Sequence, residues 1–257
     1  MAAEWPGRYD EAGELQAALE AVGAAKERGV QTIVDATAMF GGRDVRFMKR
    51  VADETGVRIV CCTGIYSYDY LPHYFANRDV DVMAEHFVED IEGGIQGTKI
   101  RAAFLKCAAD AAGVTDNVEK IHRACARASV KTGTPIMAHS MPAVQTGPRQ
   151  VEIFLEEGVD PSLIQIAHCG DTDDLDYVEG LLASGVYVGL DRYGLEMYLP
   201  IDKRNATAAE LIRRGHSERL IVSQDYCATI DGVREEPGAL VDCLEAFPQR
   251  LGVTDRR

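Results

Sequence analysis

The sequence lacks the features that mark several classes of protein. It has no apolar run approaching the roughly 20 residues that a membrane-spanning helix needs, and no basic-then-apolar signal pattern at its N-terminus. No Gly-x-Gly-x-x-Gly follows its first predicted strand, which argues against a dinucleotide-binding fold. These absences predict an ordinary soluble, cytoplasmic protein.

Basic residues are scarce relative to acidic ones. The chain has 27 Lys and Arg against 41 Asp and Glu, a net charge of −14. Nucleic acids and anionic membranes both select basic patches, so we expect neither as a partner. The seven cysteines form no Cys-x-x-Cys pair, which makes a structural zinc finger unexpected. We predict that they are buried, reduced thiols.

Short apolar segments alternate along the chain with longer amphipathic ones, which is typical of a parallel sheet covered by helices. We predict seven strands, at 32–36, 58–64, 102–110, 135–139, 164–168, 185–191 and 220–225. The predicted helices lie at 11–28, 45–55, 80–92, 117–132, 150–157, 174–183, 206–214 and 239–247. A length of 257 residues suits one (β/α)8 TIM barrel, so we predict a single α/β domain over residues 1–257.

Four polar residues end four of these strands: Lys106, His139, His168 and Asp225. In a barrel the C-terminal ends of the strands form one face, where active sites lie. Imidazoles suit zinc, iron or cobalt, and a carboxylate adds a hard oxygen ligand. A lysine ammonium would repel a metal, whereas its carbamate is an anion that can bridge two. Each residue alone has a simpler explanation, a hydrogen-bonded histidine or a salt-bridged lysine, but the combination favours a metal site.

These residues lie within motifs that resemble one known family. The motifs are Thr32-Ile-Val-Asp35, Gly41-Gly-Arg-Asp44, Thr63-Gly-Ile-Tyr66, Phe104-Leu-Lys106, Ala138-His-Ser140, His168-Cys-Gly-Asp-Thr-Asp173, Gly189-Leu-Asp-Arg-Tyr-Gly194 and Ser223-Gln-Asp-Tyr-Cys227. Together they resemble the phosphotriesterase family of the amidohydrolase superfamily. The last two segments resemble its phosphotriesterase-like lactonase branch.

The resemblance implies a zinc-dependent hydrolase, with iron, cobalt or manganese as alternative metals. It would open lactones similar to acyl-homoserine lactones and hydrolyse phosphotriesters more weakly, by a metal-bound hydroxide. Lys106, carboxylated on its side-chain nitrogen, would bridge two metals. His139 and His168 would hold the more exposed metal, and Asp225 the buried one.

The resemblance also implies the residues around the metals. Tyr66 would lie beside the hydroxide and the substrate carbonyl, and Tyr68, Arg192 and Tyr193 would shape the substrate pocket. Asp225 would take or relay a proton as the ring opens. We further expect a homodimer.

The sequence departs from the family at its first strand. That strand carries a His-x-His pair in the family, whereas this sequence has no histidine before His73. We therefore predict an incomplete barrel with the first strand absent, which binds at most one metal tightly. The alternative is a truncated or degenerate barrel that binds small ligands or a partner without turnover.

Other histidines and acidic residues have less specific predictions. His86, His122 and His216 fall on helices or at their ends, where we expect solvated positions. Part of the acidic run at 171–176 lies next to His168 and is predicted to orient it. The tyrosines at 66, 68, 70 and 74 are predicted to form a substrate wall or a subunit contact, and the two are compatible.

Overall fold

A computed structural model describes residues 10–226 and the short strands at 229–230 and 233–234. Seven parallel strands form one sheet whose spatial order follows the chain. They are β1 (Thr32–Asp35), β2 (Arg58–Gly64), β3 (Phe104–Ala108), β4 (Ile136–His139), β5 (Ile164–Ala167), β6 (Tyr187–Leu190) and β7 (Leu220–Val222). A separate antiparallel pair joins β8 (Thr229–Ile230) to β9 (Val233–Arg234). The seven predicted strands are confirmed.

One helix precedes β1, and the others connect the successive strands. They are α1 (Glu11–Glu27), α2 (Val45–Thr55), α3 (His73–Ala76), α4 (Val80–Glu92), α5 (Asp116–Thr132), α6 (Thr146–Glu156), α7 (Leu175–Ala183) and α8 (Ile201–Arg213). Their limits follow from local chemistry. The Asp44 carboxylate accepts hydrogen bonds from the first amides of α2, and Gly56 ends that helix in the left-handed conformation.

Helices α6 and α8 begin well before the positions that the sequence pattern predicts. Helix α6 begins at Thr146 and includes Gly147 and Pro148 in its first turn. These residues disfavour a helix interior but are tolerated in a first turn. Helix α8 begins at Ile201, and its polar start resembles a loop in sequence, yet Arg204 and Asn205 on it are buried. The predicted helix at 239–247 lies outside the described residues.

The strand register separates two faces of the sheet. Leu105 pairs with Ile136 and belongs to the core between sheet and helices, which also contains Phe87, Ile121 and Phe154. Lys106 falls on the opposite face, because side chains alternate along a strand. His139 pairs with Ala108 and shares that second face with Lys106. This second face is the inner face of the curled sheet.

The sheet is open at both edges within the described residues. In this part of the chain β1 pairs only with β2, and β7 only with β6. Val34 faces inward like its partner Val60, yet 54% of its surface is exposed. The architecture is therefore that of a partial (β/α) barrel, as the sequence predicts. Among the described helices, none combines the length and the apolar character needed to cross a membrane.

Candidate functional site

Lys106 lies near the C-terminal end of β3 and is almost fully buried. Its ammonium lies 5.8 Å from the centre of the Tyr66 ring. Within the described residues it forms no ion pair closer than 4.0 Å. Burial lowers its pKa, and the attraction of Asp191 and Asp225 offsets only part of that effect. A lysine with a lowered pKa is more often a neutral amine, which is the form that reacts with carbon dioxide.

His139 ends β4 and is held on both sides of its ring. Its Nε2 lies 2.8 Å from Oδ2 of Asp110, and its Nδ1 lies 3.1 Å from the Tyr66 hydroxyl. The Gln150 amide donates to the His139 carbonyl oxygen at 2.9 Å. Burial lowers the pKa of His139, and the positive charges of His168, Lys106 and Arg192 lower it further. The imidazole is therefore neutral at physiological pH, the form that binds metals.

His168 directly follows β5 and adopts a left-handed backbone conformation with φ of 66°. Its backbone N–H donates to Oδ1 of Asp191 at 2.7 Å, and its Nδ1 lies 2.9 Å from the same oxygen. The His139 and His168 rings lie 4.5 Å apart, centre to centre. Because Asp191 holds Nδ1, the free nitrogen of His168 is Nε2.

Asp191 follows β6 and is buried. Burial raises its pKa, but the charge of His168, the two hydrogen bonds from His168 and the charge of Lys106 outweigh it, so the pKa lies below its ordinary value. Gly189 makes room for this carboxylate, since a Cβ there would lie 2.3 Å from Asp191 Oδ2. The glycine of the Gly-Leu-Asp motif thus lets the aspartate turn back towards His168.

Asp225 lies beyond β7, also in a left-handed conformation with φ of 51°. Its Oδ2 accepts a hydrogen bond from Arg192 Nε at 2.9 Å and lies 4.0 Å from His168 Nδ1. Arg192 also donates to Asp171 at 2.8 Å, and Asp171 accepts from buried Arg204 at 3.2 Å. Burial lowers the pKa of Arg192, but the carboxylates of Asp171 and Asp225 outweigh burial, so the pKa lies above its ordinary value.

The predicted pocket residues separate into two groups. Tyr66 lies beside His139, and its hydroxyl oxygen is 3.4 Å from that of Tyr68, whose side chain is exposed. Burial raises the pKa of Tyr66, which keeps the hydroxyl protonated. Arg192 lies under the Tyr198 ring at 4.3 Å. Tyr193 is instead 1% exposed and belongs to the hydrophobic core.

Of the four predicted ligands, Lys106, His139 and His168 lie together on the inner face of the sheet. The fourth, Asp225, lies beside His168. No group of three His, Cys, Asp or Glu side chains positioned for a metal occurs among the described residues. That count omits Lys106, which becomes a ligand only when carboxylated. With it, the donor set of one amine-derived carbamate and two carboxylate-held imidazoles fits a divalent metal. The metal itself stays a prediction.

Several residues important to the site are absent from the sequence prediction. Asp110, Asp191 and Gln150 hold the two histidines. Asp191 and Asp110 each follow a strand end closely, which is the same signal that identifies His139 and His168. The 171–176 run contacts His168 through its backbone, because the Asp171 N–H donates to the His168 carbonyl at 3.1 Å. The Asp171 carboxylate instead pairs with Arg192 and Arg204, and the Asp191 carboxylate orients the His168 ring.

His122 is also different from its prediction. It is fully buried on α5 rather than solvated. Its Nδ1 donates to the Val118 carbonyl at 2.8 Å, and its Nε2 lies 2.9 Å from Gln150 Nε2. Gln150 thus connects His122 to the backbone of His139. The five described cysteines are buried and free, as predicted.

The fold is a partial (β/α) barrel whose unusual polar residues meet at the C-terminal ends of parallel strands, where barrel proteins have their active sites. The Phosphotriesterase family model matches residues 4–239. The chain belongs to the phosphotriesterase family, a family of hydrolases.

Individual relatives agree with this assignment. The chain is 48% identical over 234 residues to an aryldialkylphosphatase of Saccharolobus solfataricus, covering 91% of this chain and 74% of that protein. The solved structure of the phosphotriesterase from Mycobacterium tuberculosis superposes with a TM-score of 0.91 at 39% identity, covering 99% of this chain and 84% of that one. The phosphotriesterase homology protein of Escherichia coli, solved with phosphate in its active site, gives 0.83 at 28% identity, covering 93% and 83%.

Proposed function

We propose that this chain is a metal-dependent hydrolase that opens lactones and cleaves phosphotriesters more weakly. The observation that carries the proposal is the convergence of three groups on the inner face of the sheet. Lys106 is buried and has no ion pair within 4.0 Å among the described residues, and each of two neighbouring imidazoles has one nitrogen held by a carboxylate. That arrangement costs stability unless a ligand binds there.

Lys106 as a carbamate, His139 through Nδ1 and His168 through Nε2 would hold one metal, and Asp225 would serve a second, more buried metal that shares the carbamate. Zinc suits this donor set, with iron, cobalt and manganese as alternatives. When bound, the metal would supply Lewis-acid activation of water and of the substrate carbonyl.

The protein's own residues have roles that follow from their positions. The protonated Tyr66 hydroxyl would donate to the carbonyl oxygen of the substrate. Asp225, oriented by Arg192, would accept a proton from the attacking water and return it to the ring oxygen as the C–O bond breaks. One water and one lactone then yield one hydroxy acid.

The rim of the site favours substrates with an apolar part. Tyr68 is exposed beside Tyr66, and Tyr198 is exposed beside Arg192 with exposed Met197 next to it in the chain. Apolar side chains exposed around a polar site bind the apolar portion of a ligand. Lactones similar to acyl-homoserine lactones combine such a portion with an ester. Relatives that act on or bind phosphoryl groups, such as the S. solfataricus aryldialkylphosphatase, support the phosphotriester activity.

The test compares metal content with turnover. Elemental analysis of the purified protein should find bound metal, and hydrolysis of an N-acyl-homoserine lactone should exceed that of a chromogenic phosphotriester. A chelator should remove both activities, and added Zn²⁺ should restore them. Lys106→Ala should lose metal and activity, and short carboxylic acids should restore part of both. A Lys106→Ala protein with wild-type metal content and rate would contradict the proposal.

A second candidate is a barrel that binds ligands without turnover. It is favoured by the ion pair of Asp225 with Arg192 and by the open sheet edges. A folded protein that contains no metal and binds lactones without hydrolysing them would establish this function instead.

We also propose that the protein is a homodimer. Tyr66 belongs to the site, whereas Phe40, Tyr70 and Tyr74 are exposed apolar side chains that suit a subunit contact. Light scattering measures the mass in solution, and a monomer would refute this proposal.

A further inference from the structure

Asp110 lies two residues beyond β3, and both of its carboxylate oxygens are engaged. Oδ1 accepts a hydrogen bond from the backbone N–H of Ala111 at 2.7 Å. The Asp110 carbonyl accepts from Gly113 at 2.7 Å, which closes a tight turn. Oδ2 lies 2.8 Å from Nε2 of His139, a side chain that is 3% exposed. The turn therefore aims this oxygen at the histidine.

The contact determines where His139 carries its proton. An ionised carboxylate only accepts hydrogen bonds, so Nε2 must be the protonated nitrogen. Nδ1 then has a lone pair and faces the Tyr66 hydroxyl, which is able to donate to it. Gln150 fixes the backbone at the same residue through the His139 carbonyl. Ring and backbone are thus both fixed by neighbours that leave Nδ1 as the only basic nitrogen.

We propose that Asp110 is a positioning residue that holds His139 in the Nε2–H form and thereby presents Nδ1 as a metal ligand. This inference rests on the proposed function, since it treats His139 as a ligand. Asp191 acts on His168 in the same way through Nδ1, so the two histidines use opposite nitrogens. A carboxylate that holds the second nitrogen of a ligating histidine commonly contributes ten- to a hundredfold to metal affinity.

Asp110→Asn is the decisive variant because it changes polarity with little change in shape. The Ala111 N–H still needs an acceptor, so the amide oxygen takes the Oδ1 position. The amide NH2 then faces His139 Nε2 and donates to it. His139 is forced into the Nδ1–H form and loses the lone pair that faces the site.

Two measurements test this on the full chain. Long-range ¹H–¹⁵N correlation spectra of the metal-free protein report which nitrogen of each histidine is protonated. The His139 signals are identified by their loss in His139→Gln. Titration with Zn²⁺ against a competing chelator gives the metal affinity. Asp69→Asn is the matched control, because Asp69 accepts from Thr115 at 2.6 Å in a neighbouring loop and makes the same change of charge.

We expect the Nε2–H form in the wild type, the Nδ1–H form in Asp110→Asn, and Zn²⁺ affinity at least about tenfold weaker in that variant. Asp69→Asn should match the wild type in both measurements. An unchanged tautomer in Asp110→Asn, or an unchanged affinity despite an inverted tautomer, overturns the inference. A third outcome separates the two proposals: the tautomer of His139 inverts in Asp110→Asn, but the wild-type protein binds no Zn²⁺. That result would support the positioning of His139 by Asp110 and refute the metal-dependent function.

Discussion

Replacing Lys106 by methionine should stabilise the metal-free protein and abolish metal binding. Lys106 is 4% exposed and lacks a close ion pair within the described residues. Its lowered pKa shows that burial outweighs the attraction of Asp191 and Asp225, so the native state disfavours the charged form. Methionine has a similar length and no charge to desolvate.

The size of the gain follows from comparable substitutions. Replacing buried ionic groups by apolar side chains of similar volume often stabilises a protein by about 1–4 kcal/mol. The two aspartates attract Lys106 and reduce this gain, so we expect about 1–2 kcal/mol. For a chain of this length that corresponds to a rise in Tm of roughly 2–8 °C.

The assay is urea unfolding in the presence of a chelator, followed by circular dichroism. Lys120→Met is the control, because the Lys120 ammonium donates to the carbonyls of Phe75, at 3.0 Å, and Arg78. Removing those hydrogen bonds should destabilise the protein by about 1 kcal/mol. A Lys106→Met protein with a lower free energy of unfolding than the wild type would refute the reasoning.

Three further predictions concern the surrounding residues. His139→Asn and His168→Asn should each weaken Zn²⁺ binding at least about tenfold in a chelator competition, whereas His86→Asn should not; equal losses at all three would mean general destabilisation. Asp191→Ala should lower the free energy of unfolding by about 3–5 kcal/mol, measured with urea, because it leaves the buried His168 N–H groups without their carboxylate; a loss under about 1 kcal/mol would contradict this. Hydrogen bonds from Arg127 and Arg123 hold the Glu157 pKa below its ordinary value. The stabilisation that ionised Glu157 provides is present above about pH 4.3 and is lost as the pH falls through its folded-state pKa. In Glu157→Gln, the free energy of unfolding measured with urea should therefore fall less steeply as the pH is lowered. A pH profile identical to that of the wild type would contradict this.

The sheet and most helix limits were predictable from sequence because they depend on local signals. Periodicity and glycine caps define α2 and α4 to the residue, and a polar residue after an apolar run marks the ends of β5 and β6. Helix α8 was harder, because its first turn is polar. Buried Arg204 pairs with the carboxylate of Asp171, a residue 33 positions away, and such a long-range pair leaves no local pattern.

The candidate ligands were predictable for the same reason, whereas their supports were not. Lys106, His139 and His168 are conspicuous as polar ends of apolar strands. His122 was mispredicted because helix position alone does not show which face α6 covers, and Gln150 on α6 is the residue that contacts it. The role of Asp191 depends on a close approach that Gly189 permits, and sequence spacing does not reveal that distance.

The features that suit this site for chemistry are also those that cost stability. A buried lysine, a neutral histidine among positive charges and two left-handed residues, His168 and Asp225, each raise the free energy of the native state. The apolar core between the sheet and the helices stabilises the fold and offsets these costs. Strain that persists at one place while the rest of the fold is regular is typical of a functional site. A metal that binds only the native state would offset the free energy cost of burying Lys106. Added metal should therefore raise the free energy of unfolding of the wild type and leave that of Lys106→Met unchanged.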